Sequence, residues 1–270
     1  MSAGSIARIS MIAVLMLVLT GVASAATLQG SVRSDRLPLE AYAVKLYRAG
    51  ADRPVRLLGS AVSKAGGAFT IDFVPPTEDA AILYLVAQSG RVSLATVVGR
   101  VPLDVDGVVV NERTTVATAY TLAQFIDAGK ITGNAVGIAN GAAMFRNLVD
   151  PETGELAPML GQSPNGPDTS ALPTFNAVAN MVLGCVRDRG RCGAFLQAAQ
   201  SPWGKTPFQT LQAVVNIARN PWHNVPELFA VSRSGPHPYR PALSEAPNAW
   251  TLPIRFRGEP MVMNGPGNFA

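Results

Sequence analysis

Few residues of this chain have the type and spacing to do chemistry, and the cysteines come first. Cys185 and Cys192 stand in "CVRDRGRC" and are the only two in 270 residues. Between them, Asp188-Arg189-Gly190 is a turn former that lets the two side chains approach. In an exported chain a close pair is expected to form a disulfide. On the residues alone two rivals stay open, free thiols and a metal site. A zinc site takes about four ligands, and only His223 and His237 could help, without matching spacing. A redox pair more often reads Cys-x-x-Cys.

The remaining candidates are weaker. His223 in "NPWHNVPE" precedes a helix start, which suits a loop or cap role as well as a ligand or base. His237 in "GPHPYRP" is expected at the surface. Asp104 and Asp106 in "PLDVDGVVVNE", with Glu112 nearby, look like part of a calcium loop. They lack its ligand register, and a turn after a strand is the competing reading. Ser163 in "GQSPNG" lacks the second glycine of a nucleophile elbow. No H-E-x-x-H, phosphate loop or G-x-G-x-x-G after a strand occurs. Trp203, Trp222, Trp250 and Tyr239 could make a sugar-stacking platform or serve as core and tail anchors. No set therefore stands out as catalytic, cofactor-binding or metal-binding; the site predicted is the Cys185–Cys192 disulfide.

The elements that must position these residues follow from composition and periodicity. The chain is 48% hydrophobic and 15% charged, too apolar for disorder. Arg8, the apolar run "MIAVLMLVLTGVA" and Ala23-Ser24-Ala25 form the three parts of a secretory signal peptide over residues 1–25. The run is shorter than the ~20 residues of a membrane span, so cleavage with no remaining span is expected. Export to the periplasm, cell surface or medium follows. Removal of Arg8 takes the net charge from +4 to 21 − 18 = +3. No basic cluster accompanies it, which argues against a nucleic-acid partner.

Residues 26–110 read as short strands. Tyr42, Val44 and Leu46 alternate with Ala43, Lys45 and Tyr47; Phe69, Ile71 and Phe73 alternate with Thr70 and Asp72. Gln88-Ser89-Gly90-Arg91 is a hairpin turn between two apolar runs. An antiparallel β-sandwich is expected. From Asn111 the period changes to helical. Asn111 is a predicted N-cap, with Gly129 as C-cap. Further helices are expected over "NAVGIANGAAMFRNLV", "TFNAVANMVLGCVRD", "CGAFLQAAQ" and "VPELFAVS". Over "KTPFQTLQAVVNIARNP", Thr206 is the predicted cap, Pro207 the first helical residue and Gln209 the partner in a capping box. Residues 111–232 thus form a small all-helical domain, and 233–270 an extended proline-rich tail docked by Tyr239 and Trp250. The fold class is α+β.

Two resemblances add to this. Gly30-Ser31-Val32, the stretch Leu37 to Tyr47 and Gly66-Gly67-Ala68-Phe69 resemble the carboxypeptidase-regulatory-like, transthyretin-like β-sandwiches, which implies a supporting module. "ERTTVATAYTLAQF", "NGAAMFRNLVDPETG", "FNAVANMVLGCV", "TPFQTLQAVVNIARNP" and "PYRPALSEAPNAWTLPIRFRG" resemble the region before the propeller in secreted bacterial NHL-repeat, streptogramin-lyase-like β-propeller proteins. Asn264-Gly265-Pro266 stands where the propeller would start. This resemblance implies a non-catalytic accessory region whose partner is its own propeller, absent from this chain. A lyase or lactonase activity would belong to that propeller. A carbohydrate-binding module acting on a cell-surface ligand is the further alternative.

Overall fold

A computed structural model describes residues 25–78 and 80–256. The predicted leader apart from Ala25, and the Asn264-Gly265-Pro266 turn, lie outside these residues. The strand-rich part runs β1 (Ala26–Ser34), β2 (Leu37–Pro38), β3 (Ala43–Arg48), β4 (Gly50–Ala51), β5 (Arg56–Val62), β6 (Ala68–Phe73), β7 (Ile82–Ser89), β8 (Val92–Arg100) and β9 (Gly107–Val110). There follow α1 (Glu112–Thr121), β10 (Ile126–Asp127), β11 (Lys130–Gly133), α2 (Ala135–Leu148), α3 (Pro158–Gly161), α4 (Ala171–Arg187), α5 (Arg189–Ala198), α6 (Thr210–Arg219) and α7 (Val225–Arg233). The fold is mixed α/β, with antiparallel sheets and no closed barrel among the described residues.

One sheet has the order β5-β3-β7-β8, antiparallel throughout. The other is β2-β1-β6, with β9 on the opposite side of β1. The alternating residues behave as predicted: Val44, Leu46, Phe69, Ile71 and Phe73 are buried. Gly59 allows β5 to cross β6 closely, since a Cβ there would come 2.5 Å from Ile71 Cγ2. Gly30 plays the same part in β1, where a Cβ would meet the Val108 carbonyl oxygen at 2.4 Å. Not every pair is antiparallel. Residues 101–106 carry the chain from β8 to the other sheet, so β9 runs parallel to β1.

Strand β8 explains why the helices sit where they do. Its sequence is mostly apolar, interrupted by Ser93 and Thr96, and Val92 to Gly99 are buried. Such a run needs cover on both faces. Helices α1 and α6 pack on it and also satisfy its open edge: Ala95 N–H donates to Thr115 Oγ1 at 3.0 Å, and Ser93 N–H to Thr210 Oγ1 at 2.9 Å. Two threonine hydroxyls thus close an edge that would otherwise invite strand pairing. Buried side chains from the strands and the helices join in one cluster.

Three local expectations are corrected. The segment 111–232 is not all helical, because the hairpin β10–β11 interrupts it and β11 pairs in parallel with β4. Gly129 is in that hairpin turn, at φ 76°, and α1 already ends at Thr121. Helix α6 starts at Thr210, not Pro207, and its N-cap Gln209 makes no side-chain cap bond. Thr210 is drawn to the β8 edge, donating its hydroxyl to the Ser93 carbonyl at 2.6 Å, and this fixes the helix start.

Candidate functional site

The polar focus of the molecule is Glu112, the first residue of α1. Asn111 caps this helix: its Oδ1 accepts from Thr114 N–H at 2.9 Å, and Thr114 Oγ1 accepts from Asn111 N–H at 2.9 Å. The cap places Glu112 at the positive end of the helix, with no exposed surface. Its Oε1 accepts from Ser34 Oγ at 2.5 Å. Its Oε2 accepts from Tyr239 Oη at 2.7 Å and from Asp35 N–H at 3.1 Å. The Tyr239 hydroxyl also accepts from that N–H, at 3.1 Å. One carboxyl thus ties the β1–β2 turn, the start of α1 and the tail together.

Charged groups surround it at one remove. The Arg113 guanidinium lies 4.5 Å from the Tyr239 ring centroid and pairs with Glu155. Arg187 lies 3.7 Å from Asp35. Burial pushes the Glu112 carboxyl above the usual carboxylate range, against the hydrogen bonds it accepts, which pull the other way. Burial, and then the Glu112 charge, raise the Tyr239 hydroxyl far above its ordinary value, so it remains a donor. Tyr42 is pushed up to about 12 by the same two causes.

The tail is held by its main chain. Asn180 Nδ2 donates to the Tyr239 carbonyl at 3.0 Å, and its Oδ1 accepts from Tyr239 N–H at 3.2 Å. Asn176, one turn earlier on α4, donates to the Pro241 carbonyl at 2.8 Å. Asn165 repeats the two-way clamp on Arg255: Nδ2 to the carbonyl at 2.8 Å, and Oδ1 from the N–H at 2.6 Å. Between these grips Trp250 is fully buried. Its backbone N–H donates to the Pro221 carbonyl at 2.8 Å, and its own carbonyl accepts from Tyr120 Oη at 2.9 Å.

The sequence-predicted residues fall into separate places. Cys185 and Cys192 form the disulfide and join the end of α4 to the first turns of α5. Closing so short a loop stabilises by roughly 2.5 kcal/mol in the chain-entropy model. Cys185→Ser/Cys192→Ser is expected to lose about that much in urea unfolding; an unchanged midpoint would contradict a structural role. His223 lies in the turn before α7, and its Nε2 has no partner among the described residues. His237 is half-buried, not exposed, with Nε2 2.5 Å from the Ser232 carbonyl oxygen. The Asp104, Asp106 and Glu112 set does not converge. Asp104 pairs with Arg146 at 2.7 Å, and Glu112 turns into the core. Ser163 donates to Asp168 at 2.9 Å. Among the described residues no three His, Cys, Asp or Glu side chains gather at metal-binding range. The aromatic set divides: Tyr239 and Trp250 are buried anchors, whereas Trp203 and Trp222 are 85% and 66% exposed.

Reasoning from sequence missed the asparagine clamps. The signal was present in α4, where Asn176 and Asn180 interrupt an apolar helix on one face. Among the described residues no helix is long and apolar enough to cross a membrane. No protein-family model matches the chain, and no curated protein matches it. Among solved structures, a 9R-lipoxygenase from Cyanothece PCC8801 is similar over 32% of this chain, at 17% identity and TM-score 0.25. This chain spans 16% of that one, and a likeness at this level carries no argument about fold or activity.

Proposed function

We propose that the chain is an exported accessory region, a β-sandwich and a helical domain that jointly fix the path of a tail leading to a β-propeller. The propeller would be of the NHL-repeat, streptogramin-lyase-like kind. The observation that carries this reading is the main-chain clamping of the tail, by Asn180 at Tyr239 and by Asn165 at Arg255. The described part of the tail is gripped near its start, at Tyr239, and again at Arg255. A support for a following unit needs that constraint. The buried carboxyl of Glu112 is likewise engaged with three structural donors. The disulfide supports the exported part of the reading.

A carbohydrate-binding role is the second reading, favoured by the exposure of Trp203 and Trp222. Their loops adjoin: Asn216 Nδ2 donates to the Ala199 carbonyl at 3.0 Å and Asn224 Nδ2 to the Ala198 carbonyl at 3.1 Å. The test incubates the exported chain with cyclic-ester antibiotics and sugar lactones and follows ring opening by mass spectrometry. The accessory reading expects no turnover above buffer; turnover abolished by heating the chain would overturn it. Glycan-array binding lost in Trp203→Ala or Trp222→Ala, with folding intact, would favour the second reading.

A further inference from the structure

We propose that the cleft between the β7–β8 turn and the α4–α5 junction binds the oxyanion group of a small acidic molecule. The carboxylate, sulfate or phosphate of such a ligand would be held by Arg91, Arg187 and Arg189. The cleft measures about 640 Å³ and lies where the strand-rich part meets the helices. The turn contributes Arg91, the end of α4 contributes Arg187, and the start of α5 contributes Arg189. Tyr42 and the Cys185–Cys192 disulfide also line it. Asp188 is the one acid in the lining, so the formal charge is 3 − 1 = +2.

Four features separate this cleft from an ordinary solvated basic face. It is concave, and concave walls of low dielectric concentrate the field of the charges that line them. Its acid is already engaged, since Asp188 Oδ1 accepts from Arg191 N–H at 2.7 Å. The turn carbonyls, which would repel an anion, are drawn toward α6: Gly90 O accepts from Gln209 Nε2 at 3.4 Å, and Arg91 O from Thr210 N–H at 3.1 Å. The cations themselves are little used. Arg187 reaches Asp35 only at 3.7 Å, and Arg91 and Arg189 have no side-chain hydrogen bond or ion pair among the described residues. A planar guanidinium fork matches the oxygens of a carboxylate, sulfate or phosphate.

This site does not depend on the accessory reading, and its test is separate. Thermal unfolding and isothermal titration of the exported chain are run with inorganic phosphate, sulfate and citrate, at an ionic strength held constant with sodium chloride. The expected result is saturable binding of at least one anion with a rise in Tm. The anion giving the largest shift identifies the group preferred. In Arg91→Gln/Arg189→Gln, with the fold checked by circular dichroism, binding is expected to weaken by at least about tenfold, the worth of one lost charge-assisted hydrogen bond. Arg36→Gln, an exposed arginine outside the cleft, is expected to bind as the parent does. A shift that follows ionic strength alone, equal weakening in Arg36→Gln, or full binding by the double variant would each overturn the proposal.

Discussion

Glu112→Ala is expected to cost about 3–4 kcal/mol of stability, because it orphans donors at a buried site. Each buried polar group left unsatisfied costs about 1–3 kcal/mol. Three groups lose their acceptor: Ser34 Oγ, Asp35 N–H and Tyr239 Oη. The full sum is not reached, since both hydroxyls can rotate and Asp35 N–H keeps Tyr239 Oη at 3.1 Å. The cavity left by the side chain adds to the loss. The damage should also be directional. Tyr239 joins the tail to α1, so the tail should exchange its amide hydrogens faster in this variant while β3 and β7 stay protected. A loss below about 1 kcal/mol in urea unfolding would show that Glu112 is not the tie described.

The same carboxyl sets a pH dependence whose sign can be worked out. Burial raises its folded-state pKa above the unfolded value of about 4.3. The folded chain therefore holds this proton over a pH range in which the unfolded chain has released it. Stability from this group is fully present below the unfolded pKa and is lost as pH rises through the folded one. Glu112→Gln keeps the shape and removes the titration, so the stability difference between parent and Gln variant should shift toward the variant as pH rises from 4 upward. The other charges near the site, Asp35, Arg113, Arg187 and Glu155, are common to both proteins and largely cancel in that difference. A difference that does not change with pH, or moves the other way, would contradict the raised pKa.

Much of the strand-rich part was legible because its information is local. Alternation in "AFTIDF" and in "AVKLYR" assigns each side chain to a face, and the Gly90 turn sets the β7–β8 register. The Asn111 cap and the 171–187 helix were legible for the same reason. What failed was decided by distant partners. Thr206, Pro207 and Gln209 make a good helix start on their own, but Thr210 bonds β8 and moves the start there. Ile126 and Ile131 form a strand pair because β4, some eighty residues earlier, offers an edge and Tyr84 Oη accepts the Ile131 N–H. In the sequence Glu112 stands out as a neighbour of Asp104 and Asp106. Its partners Ser34 and Tyr239 lie 78 and 127 residues away. The clamps are harder still, since asparagine binding main chain leaves no pattern in the residues it binds.

Trp250→Ala is expected to be the most damaging single change in the tail, at about 3–5 kcal/mol. The indole is fully buried and belongs to the same apolar cluster as the helices. Alanine would leave a cavity that Pro221 and Tyr120, both bonded to the Trp250 main chain, cannot fill without giving up those bonds. The indole N–H has no acceptor among the described residues. Trp250→Phe therefore removes volume and no hydrogen bond, and should cost less than alanine. Trp203→Ala and Trp222→Ala, at exposed positions, should stay within about 0.5 kcal/mol of the parent. This ordering separates anchoring from surface display, because all three tryptophans have the same intrinsic hydrophobicity and differ only in where the fold puts them. Hydrogen exchange gives the second readout. If the tail is a strap held by its middle, Trp250→Ala should release protection around residues 239 and 255 together, although Asn180 and Asn165 are unchanged. The clamps then act cooperatively, each ordering chain for the next. Protection lost at 255 alone would mean two independent grips, and the tail would not be the single rigid connection that an accessory role requires.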